Sequence, residues 1–421
     1  MSSLRVIVIG GGAAGMMAAG RAAQCSATVT LLERGTSLGR KLRISGKGRA
    51  NITNTADLPE FIEAFGPNGK FLYGAFSRFF RDDLLELLHE QGVATKVERG
   101  GRVFPVSDRA GEVVDALERW LTASGARVKL SSRVKSLEIA NGRVVGVKLY
   151  AGRMEADAVI IATGGASYPK TGSSGDGYTF AAAAGHTIVP PRPALSALVT
   201  RETWVKEAQG LALKNVEATL FLQIGQQKTR KIAAEFGEML FTHFGVSGPI
   251  ILTLSRGVAD LLAQGNVFVS IDLKPALTRE QLHARLIRDF KQNKYFRNYL
   301  PALLPASLIE PFINLSNVDG GKPVNSVTAA ERNRIVELLK DMRVTVKSMG
   351  PLEEAIVTAG GVAIGEIDPR TMMSKLVAGL FFAGEAIDLD AKTGGYNLQA
   401  AFSTGYVAGE SSASCGGVVE R

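Results

Sequence analysis

At 421 residues, 46% hydrophobic and 21% charged, the chain is long enough for two or three globular domains with a sizeable core, which excludes a disordered or fibrous protein. Its formal net charge of +9 is compatible with a polyanionic partner or with a soluble surface that accepts phosphate-bearing ligands, and does not choose between them. Cys25 and Cys415 stand far apart with no C-x-x-C, and the histidines at 89, 186, 243 and 283 lack ligand spacing, so disulfide, dithiol and metal chemistry find no support and no metal is expected.

The predicted elements begin at once. Leu4 to Ile9 is a near-continuous apolar run, the pattern of a strand buried on both faces of a sheet. Its small-residue continuation to Ala23 is interrupted by Gly10-Gly11-Gly12 and lacks a basic leader, so it does not read as a signal peptide. No stretch of ~18 apolar residues occurs elsewhere, and the expectation is a cytoplasmic protein without a membrane span. Gly10-Gly11-Gly12-Ala13-Ala14-Gly15 satisfies G-x-G-x-x-G. Gly10 serves the tight turn, Gly12 lets backbone approach a pyrophosphate, and Gly15 lets helix and strand pack closely, with Ala13 and Ala14 in the first helical turn. A helix from Met16 to Gln24 presents its N-terminal N–H groups to phosphate. Thr28 to Leu32 is a second strand ending at Glu33, placed to accept ribose hydroxyls, with Arg34 beside it. The acid disfavours a 2′-phosphate here. Strand, glycines, helix, strand and acid in this order predict a dinucleotide site.

Residues 39–54 read as a polar, Gly-rich loop embracing a ligand, with Lys41 and Arg49 available for phosphate or flavin oxygens and Ser45, Gly46, Gly48 and Asn51 lining it. Residues 59–125 look mainly helical, with extended pieces at 92–98 and 102–105. A strand from Arg127 to Glu138 offers backbone groups near Val134 to an adenine edge. Asp157 to Ile161 is another buried strand, running through Ala162, Thr163 and Gly164 into a turn. From Pro190 the character changes: 216–222 and 267–273 have strand character, 228–232 is a weaker candidate, and 276–343 turns helical. Near the C-terminus, a strand from 379 is followed by Gly384, Glu385 and Asp388, then by Gly395 and a helix beginning near Tyr396, Asn397 and Leu398. The acids suit ribityl hydroxyls and the helix N-terminus suits flavin carbonyl oxygens. A site assembled from both chain ends suits a long ligand, and FAD is the expected cofactor. No second strand–G-x-G-x-x-G–helix unit is visible, so NAD(P)H is expected only as a transient co-substrate.

The motifs Ser45-Gly46-Lys47-Gly48-Arg49-Ala50-Asn51-Ile52-Thr53-Asn54, Thr171 to Gly177, Gly237 to Pro249 and Thr393 to Ala400 carry a resemblance. The chain resembles the BaiN-like (YhiN-like) bacterial NAD(P)/FAD-dependent oxidoreductases, a group with aminoacetone-oxidase-like members, over nearly its whole length. It departs at Lys47-Gly48, where relatives often carry a run of glycines, and at Ala50, commonly Cys. The resemblance implies an α/β Rossmann-type FAD-binding domain, residues 1–190 and 355–421. It also implies an inserted β-barrel-like portion, 191–275, and a helical portion, 276–354. Reactions it suggests are reduction of an enone-type double bond or oxidation of an amino-ketone in a small molecule.

Flavin carries the redox chemistry, so the chain must chiefly position substrate and move a proton. His243, crowded by Gly and Pro residues, is the candidate acid–base group, ahead of Tyr168 and Tyr396. Two alternatives stand beside the small-molecule oxidoreductase. One is a flavoprotein binding or modifying nucleic acid through the cations of 279–297 with Tyr295, Phe296 and Tyr299; the other is a non-catalytic flavin-binding sensor. Oligomeric state is not legible in the sequence.

Overall fold

The computed structural model describes residues 3–225 and 228–414. Cys415 lies outside them, and Cys25 is a free thiol. The chain forms two compact units: Met1–Pro193 with Leu352–Arg421, and Ala194–Pro351. The architecture is α/β, a Rossmann-type parallel sheet in one unit and a closed barrel in the other. Among the described residues no helix is long and apolar enough to cross a membrane.

The first unit opens with β1 (Arg5–Ile9), α1 (Ala13–Gln24) and β2 (Thr28–Leu32). Val6 to Ile9 are all buried, because helices or connections cover both faces of the sheet. Residues Arg40–Gly48 form α2, a correction to the loop expected there. The helix ends in non-helical geometry at Ser45, Gly46 and Lys47, the last two in the left-handed region, which is where the polar, Gly-rich sequence asserts itself. Its apolar anchor, Leu42, is buried in the unit's core, a tertiary contact that overrides weak local propensity. Then come α3 (Ala110–Ala123), β3 (Arg127–Lys129), β4 (Ala158–Ile161) and β5 (Ile188–Ala194). Two antiparallel three-stranded sheets flank this path: Thr53–Asn54 with Arg102–Pro105 and Thr95–Glu98, and a meander from Val134 to Glu155.

The second unit contains β6 (Leu198–Thr200), β7 (Ala212–Ile224), β8 (Lys228–Phe241), β9 (Gly245–Ser247), β10 (Asn266–Asp272) and β11 (Met342–Met349), with helices including α4 (Arg279–Asp289). The six strands close into a barrel in the order β6-β9-β8-β7-β10-β11. Along β7 and β10, Leu220, Leu222, Val267 and Val269 are buried inside while their neighbours face outward, the period-2 alternation of a barrel wall. Here β11 corrects the reading of 276–354 as purely helical: Met342, Val344 and Val346 fill the barrel and Arg343, Lys347 and Ser348 are exposed. The helical segment has no core of its own, since Leu282, Leu286, Phe312 and Ile335 share one cluster with the barrel residues. The weaker candidate at 228–232 is the start of the 14-residue β8.

The chain returns through β12 (Val357–Val362), which pairs with β5, then β13 (Leu380–Phe382), and closes with α5 (Tyr396–Ser414). The parallel sheet has the order β13-β4-β1-β2-β3. Burying each of Val8, Ile160 and Phe381 completely contributes about 1.5–3 kcal/mol. Connectivity reverses between β1 and β4, so the crevice beyond their carboxyl ends is the topological switch point where open α/β sheets bind ligands.

Candidate dinucleotide site

At the carboxyl end of β1 the chain turns through Gly10 at φ +106°, a conformation that favours glycine. A Cβ on Gly10 would lie 2.5 Å from the carbonyl oxygen of Ala162, and one on Gly15 would lie 1.8 Å from the carbonyl oxygen of Gly10. Both glycines therefore close the turn against protein. Gly12 differs: its backbone is ordinary (φ −81°), and a Cβ there would meet no atom within 4 Å. It caps the N-terminus of α1 without any side-chain hydrogen bond, and the first turn carries no acid. Uncapped N–H groups with a partial positive charge beside open backbone fit a pyrophosphate.

Glu33, at the end of β2, is 8% exposed. Its Oε2 accepts the Gly11 N–H at 2.7 Å and its Oε1 accepts the Gly35 N–H at 2.6 Å. A carboxylate has about four acceptor positions, so these bonds aim the group and leave lone pairs for ribose hydroxyls. Arg34 is tied elsewhere, donating to the Ser174 hydroxyl and pairing with Asp176 at 3.2 Å.

Lys41, on α2, forms the centre of a second cluster. Its ammonium donates to Glu385 Oε2 at 2.6 Å and to Ser167 Oγ at 2.7 Å. Glu385 Oε1 also accepts from the Thr358 N–H at 2.8 Å and from Ser167 Oγ at 3.2 Å. Segments following β2, β4 and β13, and the start of β12, thus meet on one partly buried ion pair. Neither Ser167 nor Thr358 was expected; nothing local to either marks it, since its partners lie 27 to 218 residues away. Arg49 pairs with Glu98 (2.8 Å) and Asp108 (3.3 Å) and stacks on Phe104, centroid distance 4.1 Å. The availability for phosphate expected of Lys41 and Arg49 is thus largely taken up by carboxylates of the same unit.

The C-terminal acids divide their roles. Glu385 is committed to the Lys41 cluster, whereas Asp388 Oδ2 has Asn68 Nδ2 at 3.2 Å, and burial pushes its carboxyl above the usual range. Gly384 donates its N–H to Thr404 at 2.9 Å, and a Cβ on it would lie 2.8 Å from that of Ala14. At the N-terminus of α5, a Cβ on Gly395 would lie 2.3 Å from the Thr53 carbonyl oxygen. The Asn51 amide accepts the Gly395 N–H at 3.1 Å and donates to Thr53 at 3.3 Å, and Asn54 donates to the Gly394 carbonyl at 2.9 Å. Asn51 and Asn54 therefore brace the two glycines that open α5. Asn397 is spent on its own loop, accepting from the Ala391 N–H at 2.9 Å and donating back at 3.0 Å. Tyr396 is buried edge-on against Phe61 at 4.7 Å. Leu398 is half-buried, and Val134 is buried at the start of the Val134–Glu155 meander. Thr53 Oγ1 and Gln399 Oε1 are buried without hydrogen-bond partners among the described residues, leaving acceptor capacity at this end of α5. Gly10–Gly15, Glu33, Ala162–Gly164, Gly384–Asp388 and Gly395–Leu398 all belong to the first unit and fit FAD.

His243 belongs to the second unit, exposed in the turn between β8 and β9, its ring edge-on to Phe244 at 4.8 Å. The cationic face expected over 279–297 is partly neutralised, with Lys291 and Lys294 left exposed and unpaired among the described residues. Arg279 pairs with Glu337, Arg285 and Arg288 with Asp289, and Arg297 with Glu310. Phe296 and Tyr299 are buried in the barrel's core cluster, and the Tyr299 hydroxyl donates to Asp289 at 2.9 Å. Tertiary structure supplies Glu337 to Arg279, whereas Asp289 serves Arg285 and Arg288 from within the same helix.

The HI0933-like protein Rossmann domain matches residues 4–411. The chain is 32% identical over 415 residues to a 3-dehydro-bile acid delta(4,6)-reductase of Clostridium scindens, covering 97% of this chain and 99% of that protein. It is 31% identical over 415 residues to the ribosomal RNA dihydrouridine synthase of Escherichia coli, covering 96% and 97%. Among solved structures, a 3-ketosteroid-delta4-(5alpha)-dehydrogenase from Rhodococcus jostii aligns over 97% of each chain with a TM-score of 0.51 at 16% identity, a likeness of fold. With an FAD-binding sheet, a glycine turn and an acid in their expected places, this chain belongs to the HI0933-like Rossmann family and is an FAD-dependent oxidoreductase.

Proposed function

We propose that the chain saturates a carbon–carbon double bond conjugated to a carbonyl, with NAD(P)H as a transient electron donor. The observation that carries this reading is full-length similarity to relatives whose names describe one chemistry on different molecules. A delta(4,6)-reductase acting on a 3-dehydro-bile acid saturates an alkene in conjugation with a ketone. Forming dihydrouridine saturates the uracil C5=C6 bond, conjugated to the C4 carbonyl. FAD, once bound and reduced by NAD(P)H, would supply hydride to the β-carbon of such an alkene, and a proton must reach the α-carbon.

The residues divide the remaining work. The α1 N-terminus would hold the pyrophosphate, Glu33 the adenosine ribose, and Asp388 the ribityl hydroxyls. The N-terminal dipole of α5, fixed by Asn51 and Asn54, favours negative charge on the flavin carbonyl side. The Lys41–Glu385 pair locks the segments that carry these groups. With one dinucleotide fingerprint in the sequence, NAD(P)H docks and leaves rather than occupying a second Rossmann domain.

Stopped-flow mixing of the holoenzyme with NADH and with NADPH is expected to bleach flavin absorbance. Free enones and uridine-containing RNA are then offered to the reduced protein under anaerobic conditions. Faster reoxidation, with a two-hydrogen mass gain in the acceptor, supports the reading; reoxidation by oxygen alone sinks it. His243→Ala tests the proton-transfer expectation. Slower reoxidation by substrate at constant FAD content supports it, and unchanged turnover removes the histidine.

A further inference from the structure

Counting which cations are neutralised separates two basic regions of the second unit. Around α4, Arg279, Arg285, Arg288 and Arg297 pair with acids, whereas Lys291 and Lys294 stay exposed without an ion pair among the described residues. Arg201, Lys228, Arg230, Lys231 and Lys347 are exposed and have no ion-pair partner among the described residues. Lys231 lies on the outer face and Arg201 and Lys347 line one cleft, whereas Lys228 and Arg230 stand opposite Ile224 and Leu222, on the alternate face of the strand. Lys231 stands opposite Phe221, Phe221 opposite Phe268, and Phe268 opposite Thr345, across β8, β7, β10 and β11. Leu220 and Leu222 point into the barrel, so Phe221 and its cross-strand partners face outward.

Phe221 and Phe268 are stacked, centroids 5.1 Å apart with 14° between planes, and the Arg343 guanidinium lies 4.9 Å over Phe268. Asp341 already balances Arg343, at 2.6 Å, so that arginine acts as a planar lid on the stack rather than as free charge. Phe221 keeps part of its surface exposed. Two residues along the same strands, Thr229, Gln223 and Asn266 stand opposite one another. Gln223 and Asn266 line an open cleft of about 620 Å³ with Gln264, Arg201 and Lys347. An outward aromatic platform, amides able to donate and accept, and unpaired cations thus adjoin on one wall.

We propose that this outer wall of the barrel binds single-stranded RNA, with a base stacking on Phe221, base edges reading the Gln223–Asn266–Gln264 amides, and phosphates meeting Lys231, Arg201 and Lys347. The proposal rests on the RNA form of the reduction reading above, in which the alkene is a uracil ring within a strand. Stacking on aromatic side chains beside a cationic groove is how sequence-tolerant single-strand sites are built. A small neutral molecule has no use for three unpaired cations, and a duplex cannot offer an unstacked base to Phe221.

The test is fluorescence anisotropy of the FAD-loaded full chain with an end-labelled, uridine-containing single-stranded RNA, its matched duplex, and heparin. The expected result is preference for the single strand, with log affinity falling against log salt at a slope of about −0.7 per phosphate contacted. The double variant Lys231→Glu/Lys347→Glu is expected to bind at least tenfold more weakly. Phe221→Ala should weaken single-strand binding by roughly 5- to 150-fold. Arg288→Glu on α4 should leave it unchanged. FAD content and turnover of a free enone, unaltered in every variant, establish that the fold is intact. No binding at low salt, equal affinity for heparin and RNA, or parental affinity in the charge and Phe221 variants would each overturn the surface. Binding that favours the duplex and ignores Phe221→Ala overturns it in favour of a shape-reading site. RNA binding without uridine reduction leaves the surface standing and removes the RNA form of the reaction.

Discussion

At the scale of single residues, the site turns on atoms whose surroundings are asymmetric. Gly10 and Gly15 are enforced by protein, whereas Gly12 is free of any contact within 4 Å and has a backbone that alanine adopts readily. Gly12→Ala should therefore leave the unfolding free energy of the apoprotein within about 0.5 kcal/mol of the parent. The added methyl stands where backbone must approach the pyrophosphate, so FAD affinity, read by titration of flavin fluorescence, should fall at least tenfold. Undiminished affinity would place the pyrophosphate elsewhere. His186 offers a different handle. Its side chain is fully buried: Nδ1–H donates to Glu366 at 3.1 Å, Nε2 accepts from the Ser374 hydroxyl at 2.8 Å, and the ring meets Phe382 edge-on at 4.8 Å. Burial holds the imidazole below its ordinary value, outweighing the opposite pull of Glu366. The folded state therefore favours the neutral ring while the unfolded chain takes up a proton near pH ~6.5. Stability is full above that value and declines as pH falls through it. Glu366, held below its usual range, adds a further loss only at more acidic pH. Thermal unfolding from pH 7.5 to 5.5 should show the decline in the parent and a flatter profile in His186→Gln; parallel profiles would remove the histidine as its source.

At the scale of elements, the decisive contact is the crossing of α1 and α5, which come from opposite ends of the chain. A Cβ on Gly405 would lie 2.4 Å from the Ala14 carbonyl oxygen, and one on Gly409 2.3 Å from that of Ala18. Two glycines four residues apart thus let α5 press on α1, the helix that follows the Gly10–Gly15 turn. Gly405→Val should cost about 1–3 kcal/mol by overpacking, lower Tm by several degrees, and weaken FAD binding in the same variant. A loss of stability with parental FAD affinity would separate helix packing from the site. The elements also show what local sequence can encode. β1, α1 and β2 were legible because each carries its own period and the glycines punctuate them. α2 was not: its residues favour a loop, and only docking of Leu42 makes one side of it helical. β8 was half-legible because small residues on both of its faces, Ala233, Ala234 and Gly237, blur the alternation.

At the scale of the whole molecule, a formal charge of +9 said little until its partners were placed. In the denser cationic run over α4 the arginines pair with Glu337, Asp289 and Glu310 while Lys291 and Lys294 stay unpaired, and in the hairpin of β7 and β8 Lys228, Arg230 and Lys231 keep their charge. The sequence alone determined the dinucleotide unit: strand, Gly10–Gly15, helix and Glu33 fall within about thirty residues, and both strand and helix periods are local properties. It also led to the expectation of one cofactor site built from both ends of the chain. Tertiary structure alone decided that Lys41 answers Glu385, 344 residues away, that Arg49 faces Glu98 and Asp108, and that β11 closes the barrel. The physical reason is the same in each case: an ion pair or a strand register is chosen by what packing brings alongside it, and no residue carries that information in its neighbours along the chain.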